Sequence, residues 1–282
     1  MSTASPDTMN LVSDREFDFH PRDFARVRAL IYERAGISLH EGKQAMVYSR
    51  LSRRLRETGH ATFEDYLKSL ERGTDEQEWQ EFVNCLTTNL TSFFREEHHF
   101  HVLTEWLNAR GQQPTRIWCC ASSTGEEPYS LAITVAETMG LHAPVKIIAS
   151  DIDTNVLAAA SRGVYDVDSR GLSPARLRNF FMRGKAGNAG NMRVKPDVAR
   201  LVEFRPFNLM QTSWSLGEQF DIVFCRNVMI YFDAQTQRKV LERIHGVMKP
   251  KSMLFVGHSE NFTESRDIFL LRGKTVYDRV GS

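Results

Sequence analysis

The chain is short of charge imbalance, of cysteine and of long apolar runs, and each shortage removes a class of function. Lysine and arginine number 36 against 35 acidic residues, a net charge of +1, so no overall field marks the protein for a polyanion. No nucleic-acid partner is expected, and electrostatic recognition has to come from local patches. No apolar stretch approaches the roughly 20 residues that span a bilayer. The start, MSTASPDTMN, is polar and has no h-region. These features predict a cytoplasmic protein without direct membrane insertion. Cysteine occurs at Cys85, Cys119, Cys120 and Cys225. The last three lie in strand-like runs and Cys85 in a helical one, with no disulfide or metal spacing, so a reducing compartment is expected. A GxGxxG fingerprint is also missing, which argues against a dinucleotide.

The rest of the chain is organised around residues 116–129, RIWCCASSTGEEPY. Ile117 to Ala121 is a short apolar run of strand type. Ser122, Ser123, Thr124 and Gly125 let the backbone turn tightly and approach a ligand without side-chain obstruction. Pro128 suits the first turn of a helix whose apolar positions are Leu131, Ala132, Val135 and Met139, with Gly140 as its stop. Strand, small-residue turn and helix make the nucleotide-binding corner of a doubly wound α/β sheet. A second strand, 146–150, ends on Asp151, where such folds place an acid for ribose hydroxyls. Glu126 and Glu127 would repel a pyrophosphate at the helix N-terminus. A cofactor with adenosine but no phosphate fits better, and S-adenosylmethionine, whose sulfonium is cationic, is the common one. The corner alone leaves a plain βαβ unit open as the alternative.

Residues 15–88 read as a small all-α domain. Pro21 opens a helix to residue 35, with Phe24, Val27, Leu30 and Ile31 on one face. A second helix, about 42–58, carries Val47, Tyr48, Leu51 and Leu55, with Lys43, Arg50, Arg53 and Arg54 at helical spacing on a neighbouring side. Thr62-x-x-Asp65 has the capping-box pattern, and 75–87 carries Trp79, Phe82, Val83 and Leu86. The basic side is either ordinary solvated surface or a docking face for an acidic partner.

Residues 89–96 form a linker in which Asn89, Thr91 and Arg95 sit among Leu90, Phe93 and Phe94, more apolar than a linker needs. His98, His99 and His101 follow. Without an acidic or cysteine ligand set at suitable spacing they read as solvent-facing, and no metal is expected. From 97 to 282 the pattern is α/β, broken at about 163–204 by a glycine-punctuated stretch that reads as an inserted antiparallel β-subdomain. Its last run, 201–204, is a candidate to return to the main sheet, which leaves Asn208 and Leu209 at a strand end, on the edge lining the ligand crevice. A strand at 220–225 leads into Arg226, Asn227 and Tyr231. Asp233 caps a helix stopped by Pro250, 253–256 is another strand, and Arg272-Gly273-Lys274 turns a final hairpin. The fold class predicted is α/β: a Rossmann-like class I methyltransferase domain with an inserted β-subdomain, preceded by the all-α domain.

Four stretches in order, TTNLTSFFREEHHF, SSTGEEPYSLA, ASDIDTNVLAAASRGVY and FDIVFCRNVMIYFD, followed by GHSENF, resemble the chemotaxis receptor methyltransferases, the CheR family. The similarity spans nearly the whole chain. The resemblance implies methyl transfer from S-adenosylmethionine, leaving S-adenosylhomocysteine, to glutamate side chains on the cytoplasmic helices of bacterial chemoreceptors. The products are glutamyl methyl esters, made in chemotaxis adaptation. It implies cofactor contacts from Asn89, Thr91, Arg95, Glu126 and Asp151, and from Asn208, Leu209, Arg226 and Asn227. It also puts Arg95 and Tyr231 beside the reacting centre. The receptor would dock on Lys43, Arg50, Arg53 and Arg54, and a receptor C-terminal tail at the β-subdomain is left open.

The chemistry can be argued from the groups themselves. A glutamate carboxylate, ordinary pKa about 4.3, is ionised at neutral pH and needs no general base. Its attack on a sulfonium neutralises opposite charges, so positioning and exclusion of water supply the acceleration. An arginine can hold the carboxylate in a planar fork and a tyrosine hydroxyl can orient it. Too strong a pair would quench the nucleophile, so Arg95 is assigned orientation. Two rivals remain. An N-methyltransferase on nucleic acid or an amine draws on a loose likeness of Asn227-x-x-x-Tyr231 to an amine-positioning loop, and is opposed by the missing prolines and near-neutral charge. A non-catalytic cofactor-binding adaptor is opposed by intact Arg95, Asn227 and Tyr231.

Overall fold

The computed structural model describes residues 15–281; the polar start, 1–10, lies outside them. Four helices make the front domain: α1 (Pro21–Ala35), α2 (Gln44–Thr58), α3 (Phe63–Glu71) and α4 (Glu76–Leu86). Their apolar faces meet in one core, with Val27, Ile31, Leu51, Leu55, Phe63 and Phe82 fully buried. Local chemistry sets the ends. Gly36 takes a left-handed φ of 70° and its N–H donates to the Tyr32 carbonyl, closing α1. Thr62 accepts the N–H of Asp65 and Asp75 that of Glu78, which satisfies donors left over at helix N-termini.

The second domain opens with α5 (His98–Arg110) and then alternates: β1 (Thr115–Cys119), α6 (Glu126–Met139), β2 (Val145–Asp151), α7 (Thr154–Arg162). An insertion follows, with β3 (Val164–Asp166), α8 (Pro174–Phe180), β4 (Phe181–Arg183), β5 (Asn191–Val194) and α9 (Pro196–Ala199). The chain then resumes with β6 (Val202–Pro206), β7 (Phe220–Cys225), α10 (Ala234–Gly246), β8 (Met248–Val256), β9 (Phe269–Gly273) and β10 (Val276–Arg279).

The main sheet has the order β6-β2-β1-β7-β8-β10-β9. Its first five members are parallel; β10 runs antiparallel to β8, and β9 runs antiparallel to β10 and so in the direction of the first five. Strand order reverses between β1 and β7, where Trp118 registers against Val223. Chains leaving that switch point in opposite directions open a crevice at the strands' C-terminal ends. Apolar clusters on both faces of the sheet explain why β7 is buried along its length and reads as a continuous apolar run. Trp118 is fully buried, and its indole N–H donates to Ser150 Oγ at 2.9 Å, so this large core side chain leaves no orphan donor. No helix among the described residues is long and apolar enough to cross a membrane.

The run at 201–204 returns to the main sheet as the sequence suggested, with β6 pairing with β2 from Ile147–Val202 to Asp151–Pro206, so the inserted sheet, order β3-β5-β4, ends before residue 202 and not at about 204. Two other expectations change. Pro250 does not stop α10. It lies inside β8, within the stretch where the β7–β8 register jumps from Phe220–Met248 to Ile222–Met253, so its missing N–H breaks no ladder bond there. Gly125 is not bare for a ligand's sake. At φ 99° an added Cβ would lie 2.6 Å from the Tyr165 hydroxyl and 2.9 Å from the Ala160 Cβ, so the turn needs glycine to close against α7 and β3.

Candidate active site

A cavity of about 350 Å³ opens at the switch point, walled by both domains. The acid at the end of β2 forms one side. Asp151 accepts the N–H of Ser123 at 2.8 Å on one carboxylate oxygen and that of Asp153 at 3.0 Å on the other. Burial raises its pKa to about 6. Each oxygen keeps a lone pair, so the group can still accept hydroxyls.

The turn after β7 forms the facing wall, and Glu260 shapes it. Its Oε2 accepts the N–H of Asn227 at 2.9 Å and of Gly257 at 2.6 Å, and its Oε1 accepts that of Met229 at 2.8 Å. Burial raises the Glu260 pKa. Asn227 takes φ 58°, a strained value that the three anchored amides hold in place. Gly257 clears the space beside it, since a Cβ there would sit 2.3 Å from Asn227 Nδ2. Sequence reasoning gave Glu260 no task; its signal was a lone acid in a small polar loop following a strand.

Arg226 is only 4% exposed. It pairs with Glu127, stands 3.4 Å from Glu96, and donates to the Arg95 carbonyl at 2.6 Å. Its Nε is buried without a partner.

The linker closes the cavity from the front-domain side. Asn89 Nδ2 donates to Asp153 Oδ2 at 2.7 Å, and the Thr87 hydroxyl donates to the same oxygen at 2.6 Å. The Ser123 hydroxyl donates to the Asn89 carbonyl at 3.0 Å. Arg95 curls back to donate to the Leu90 carbonyl at 3.1 Å. Opposite, Tyr231 sits in a short 3-10 turn, and its carbonyl accepts the Ser38 N–H at 2.8 Å. Asn208 Nδ2 donates to the Arg34 carbonyl at 2.7 Å. Thr91 and Leu209 line the same cavity. Eight of the nine residues named for the cofactor, and Tyr231, therefore meet at one place.

Glu126 is the exception. Glu127 lines the cavity, while the Glu126 carboxylate accepts the Thr124 hydroxyl at 2.6 Å and is pushed up in pKa by burial. Successive helical residues point about 100° apart, so the ion pair of Glu127 with Arg226 turns Glu126 away.

The basic side of α2 is also corrected. Arg50 donates to the carbonyls of Cys85 and Thr87 at the end of α4. Arg54 pairs with Glu57 and with Glu78, and its side chain is only 14% exposed. Lys43 lines the cavity, and Arg53, 76% exposed, pairs with Glu57. Two of the four cations thus serve the fold of the front domain.

The histidines do not all face solvent. His99 is fully buried, shares a 2.9 Å hydrogen bond between Nε2 and Thr275 Oγ1, and is lowered in pKa to about 3 chiefly by burial. Its ring packs edge-on to Phe255 on the sheet, centroids 5.4 Å apart. Ligand-type atoms of Glu96, His98 and His99 lie within 4.8 Å of one another. The Arg226 guanidinium, 3.4 Å from that glutamate, already supplies the positive charge there.

Comparison with known proteins bears on this arrangement. Residues 22–87 match the family model described as CheR methyltransferase, all-alpha domain, and residues 89–277 match CheR methyltransferase, SAM binding domain. The chain is 48% identical over 280 residues to chemotaxis protein methyltransferase 2 of Pseudomonas aeruginosa, covering 98% of each chain. It is 49% identical over 257 residues to the chemotaxis protein methyltransferase of Escherichia coli, covering 90% of this chain and 89% of that one.

Proposed function

Since the chain belongs to the CheR methyltransferase family, with S-adenosylmethionine as its cofactor, we propose that it methylates glutamate carboxylates on the cytoplasmic helices of bacterial chemoreceptors. The observation that carries this reading is the meeting of Arg95 and Tyr231 with Asp151 and Arg226 around one cavity. When bound, S-adenosylmethionine supplies an electrophilic methyl carbon on a cationic sulfur. The donor set suits it. Asp151 keeps acceptor capacity for ribose hydroxyls, and Arg226 has a buried Nε–H left for a carboxylate.

The protein's own part is placement. Arg95 would fork the incoming glutamate and hold it in line, while its bond to the Leu90 carbonyl tempers its charge. The Tyr231 hydroxyl makes no hydrogen bond among the described residues, so it is free to orient the carboxylate. No base is needed, because the nucleophile arrives ionised. Enclosure by the linker and front domain excludes water and strengthens these contacts. Within the same reading, Arg53 faces the receptor, and the three-stranded sheet, which exposes Val164 and Met182, would take a receptor C-terminal tail. The protein would work in the cytoplasm, where those receptor helices lie.

The test is label transfer from methyl-labelled S-adenosylmethionine into a receptor cytoplasmic fragment. Label released as methanol by mild alkali marks an ester. An N-methyl product keeps its label in alkali, and an adaptor incorporates none.

A further inference from the structure

We propose that Leu90 and Ile230 form an apolar grip at the cavity mouth that seats a helix of the protein substrate, so that its glutamate side chain enters while the helix stays outside. This rests on the reading that the substrate is a helix-borne glutamate. Leu90 is 83% exposed and Ile230 50%, and both line the cavity. A single exposed leucine means little, but large apolar side chains held out together at the rim of a polar cavity mark a contact surface.

Neither is exposed through slack. The Leu90 carbonyl is held by the Arg95 guanidinium at 3.1 Å. Ile230 sits in a turn pinned on one side by the Met229 N–H on Glu260 at 2.8 Å and on the other by the Tyr231 N–H on the Val228 carbonyl at 3.1 Å. Each grip residue therefore borders a group assigned to the reaction: Leu90 is tied to Arg95, and Ile230 precedes Tyr231.

The occupant follows from reach and charge. A glutamate side chain is short, so its own backbone has to come down on the rim. On a helix, side chains three and four positions away share the glutamate's face and would rest on Leu90 and Ile230. Lys43, exposed and lining the same cavity, complements further acids on that helix. The surface therefore selects glutamates flanked at those spacings by small or apolar residues, and rejects ones flanked by charge. Seating the helix also covers the mouth and removes water from the reacting pair.

The test measures binding of a receptor cytoplasmic fragment to the enzyme saturated with S-adenosylhomocysteine, by fluorescence anisotropy. Leu90→Ser and Ile230→Ser should each weaken fragment binding about tenfold, the scale of losing one buried aliphatic side chain. Leu90→Met and Ile230→Val should bind as wild type, and calorimetry should give an unchanged S-adenosylhomocysteine affinity for all four. A double serine variant that binds the fragment normally overturns the proposal, as does a wild type that does not bind it or a loss of cofactor affinity in step with fragment affinity. A fragment that binds through the grip yet never becomes a methyl ester upholds the grip and overturns the function proposed above.

Discussion

The backbone N–H of Asn227 donates to the carboxylate of Glu260 at 2.9 Å, across 33 residues of sequence. Through this bond and its two companions, one buried acid sets the path of the chain from Arg226 to Tyr231. Glu260→Ala would leave three buried amides unpaired, and we expect a loss of about 3 kcal/mol or more in urea unfolding, given about 1.5–3 kcal/mol for each charged hydrogen bond and incomplete additivity. Glu260→Gln, which keeps one acceptor oxygen, should fall between. An unchanged unfolding midpoint in the alanine variant would show that the turn is held by other contacts.

Asp151 predicts a pH effect on the cofactor. Burial holds its pKa at about 6 in the free protein, against an ordinary 3.8. Ribose hydroxyls favour the ionised form as acceptor, so affinity should be full above about pH 6 and weaken below it, by at most about tenfold per unit. Asp151→Ala should lose about 1.5–3 kcal/mol of binding and with it the pH dependence in that window. Calorimetric titration between pH 5 and 7.5 decides, and a flat wild-type curve removes the group from the site.

Arg53 and Arg54 should behave oppositely despite adjoining in sequence. Arg54 is enclosed with Glu78, which also accepts the Tyr66 hydroxyl at 2.8 Å. Arg54→Glu sets three acids together, and a loss of about 3 kcal/mol in stability is expected. Arg53→Glu should leave the unfolding curve in place and slow receptor methylation, with the difference from wild type shrinking as salt rises. If Arg53→Glu methylates at the normal rate in low salt, that arginine is plain surface.

Tyr231→Phe removes a hydroxyl assigned to orientation, so turnover should drop while S-adenosylmethionine affinity stays. Arg95→Ala should lower both, because its guanidinium also fixes the linker at Leu90. Single-turnover methylation alongside equilibrium binding separates the two outcomes, and normal turnover in Tyr231→Phe reduces the residue to packing.

His99 ties stability to pH. Its folded pKa of about 3 lies below the ordinary 6.5, so only the unfolded chain takes up a proton between those values. The contribution is complete above pH 6.5 and declines as pH falls, by up to about 1.4 kcal/mol per unit. Unfolding free energies at pH 7 and pH 5 should therefore differ more for wild type than for His99→Gln. Equal differences would mean that the imidazole titrates in the folded protein.

The elements that sequence made legible are those whose cause is local. The switch-point strands are apolar runs, and Gly36, Thr62, Asp75 and Asp233 cap helices with their own atoms. What stayed hidden depends on partners far along the chain. Arg54 meets Glu78 across 24 residues and Arg50 meets the Cys85 carbonyl across 35, so a basic stripe on paper becomes internal bracing. Helix phase decided that Glu127 rather than Glu126 faces the cavity, and packing on the sheet drew His99 out of a run of histidines that looks solvated.

The two family matches divide between residues 87 and 89, yet Thr87 and Asn89 share one oxygen of Asp153. The seam between the modules is therefore stitched beside Asp151, whose other contact is the N–H of that same Asp153. Recombination between relatives has to carry Thr87, Asn89 and Asp153 as a set. A front domain exchanged at the seam leaves Asn89 with Asp153 and replaces only the donor at position 87. A newcomer without a hydroxyl there leaves Asp153 one hydrogen bond short beside Asp151, so inheritance here follows a hydrogen-bonded trio and not the boundary drawn through the sequence.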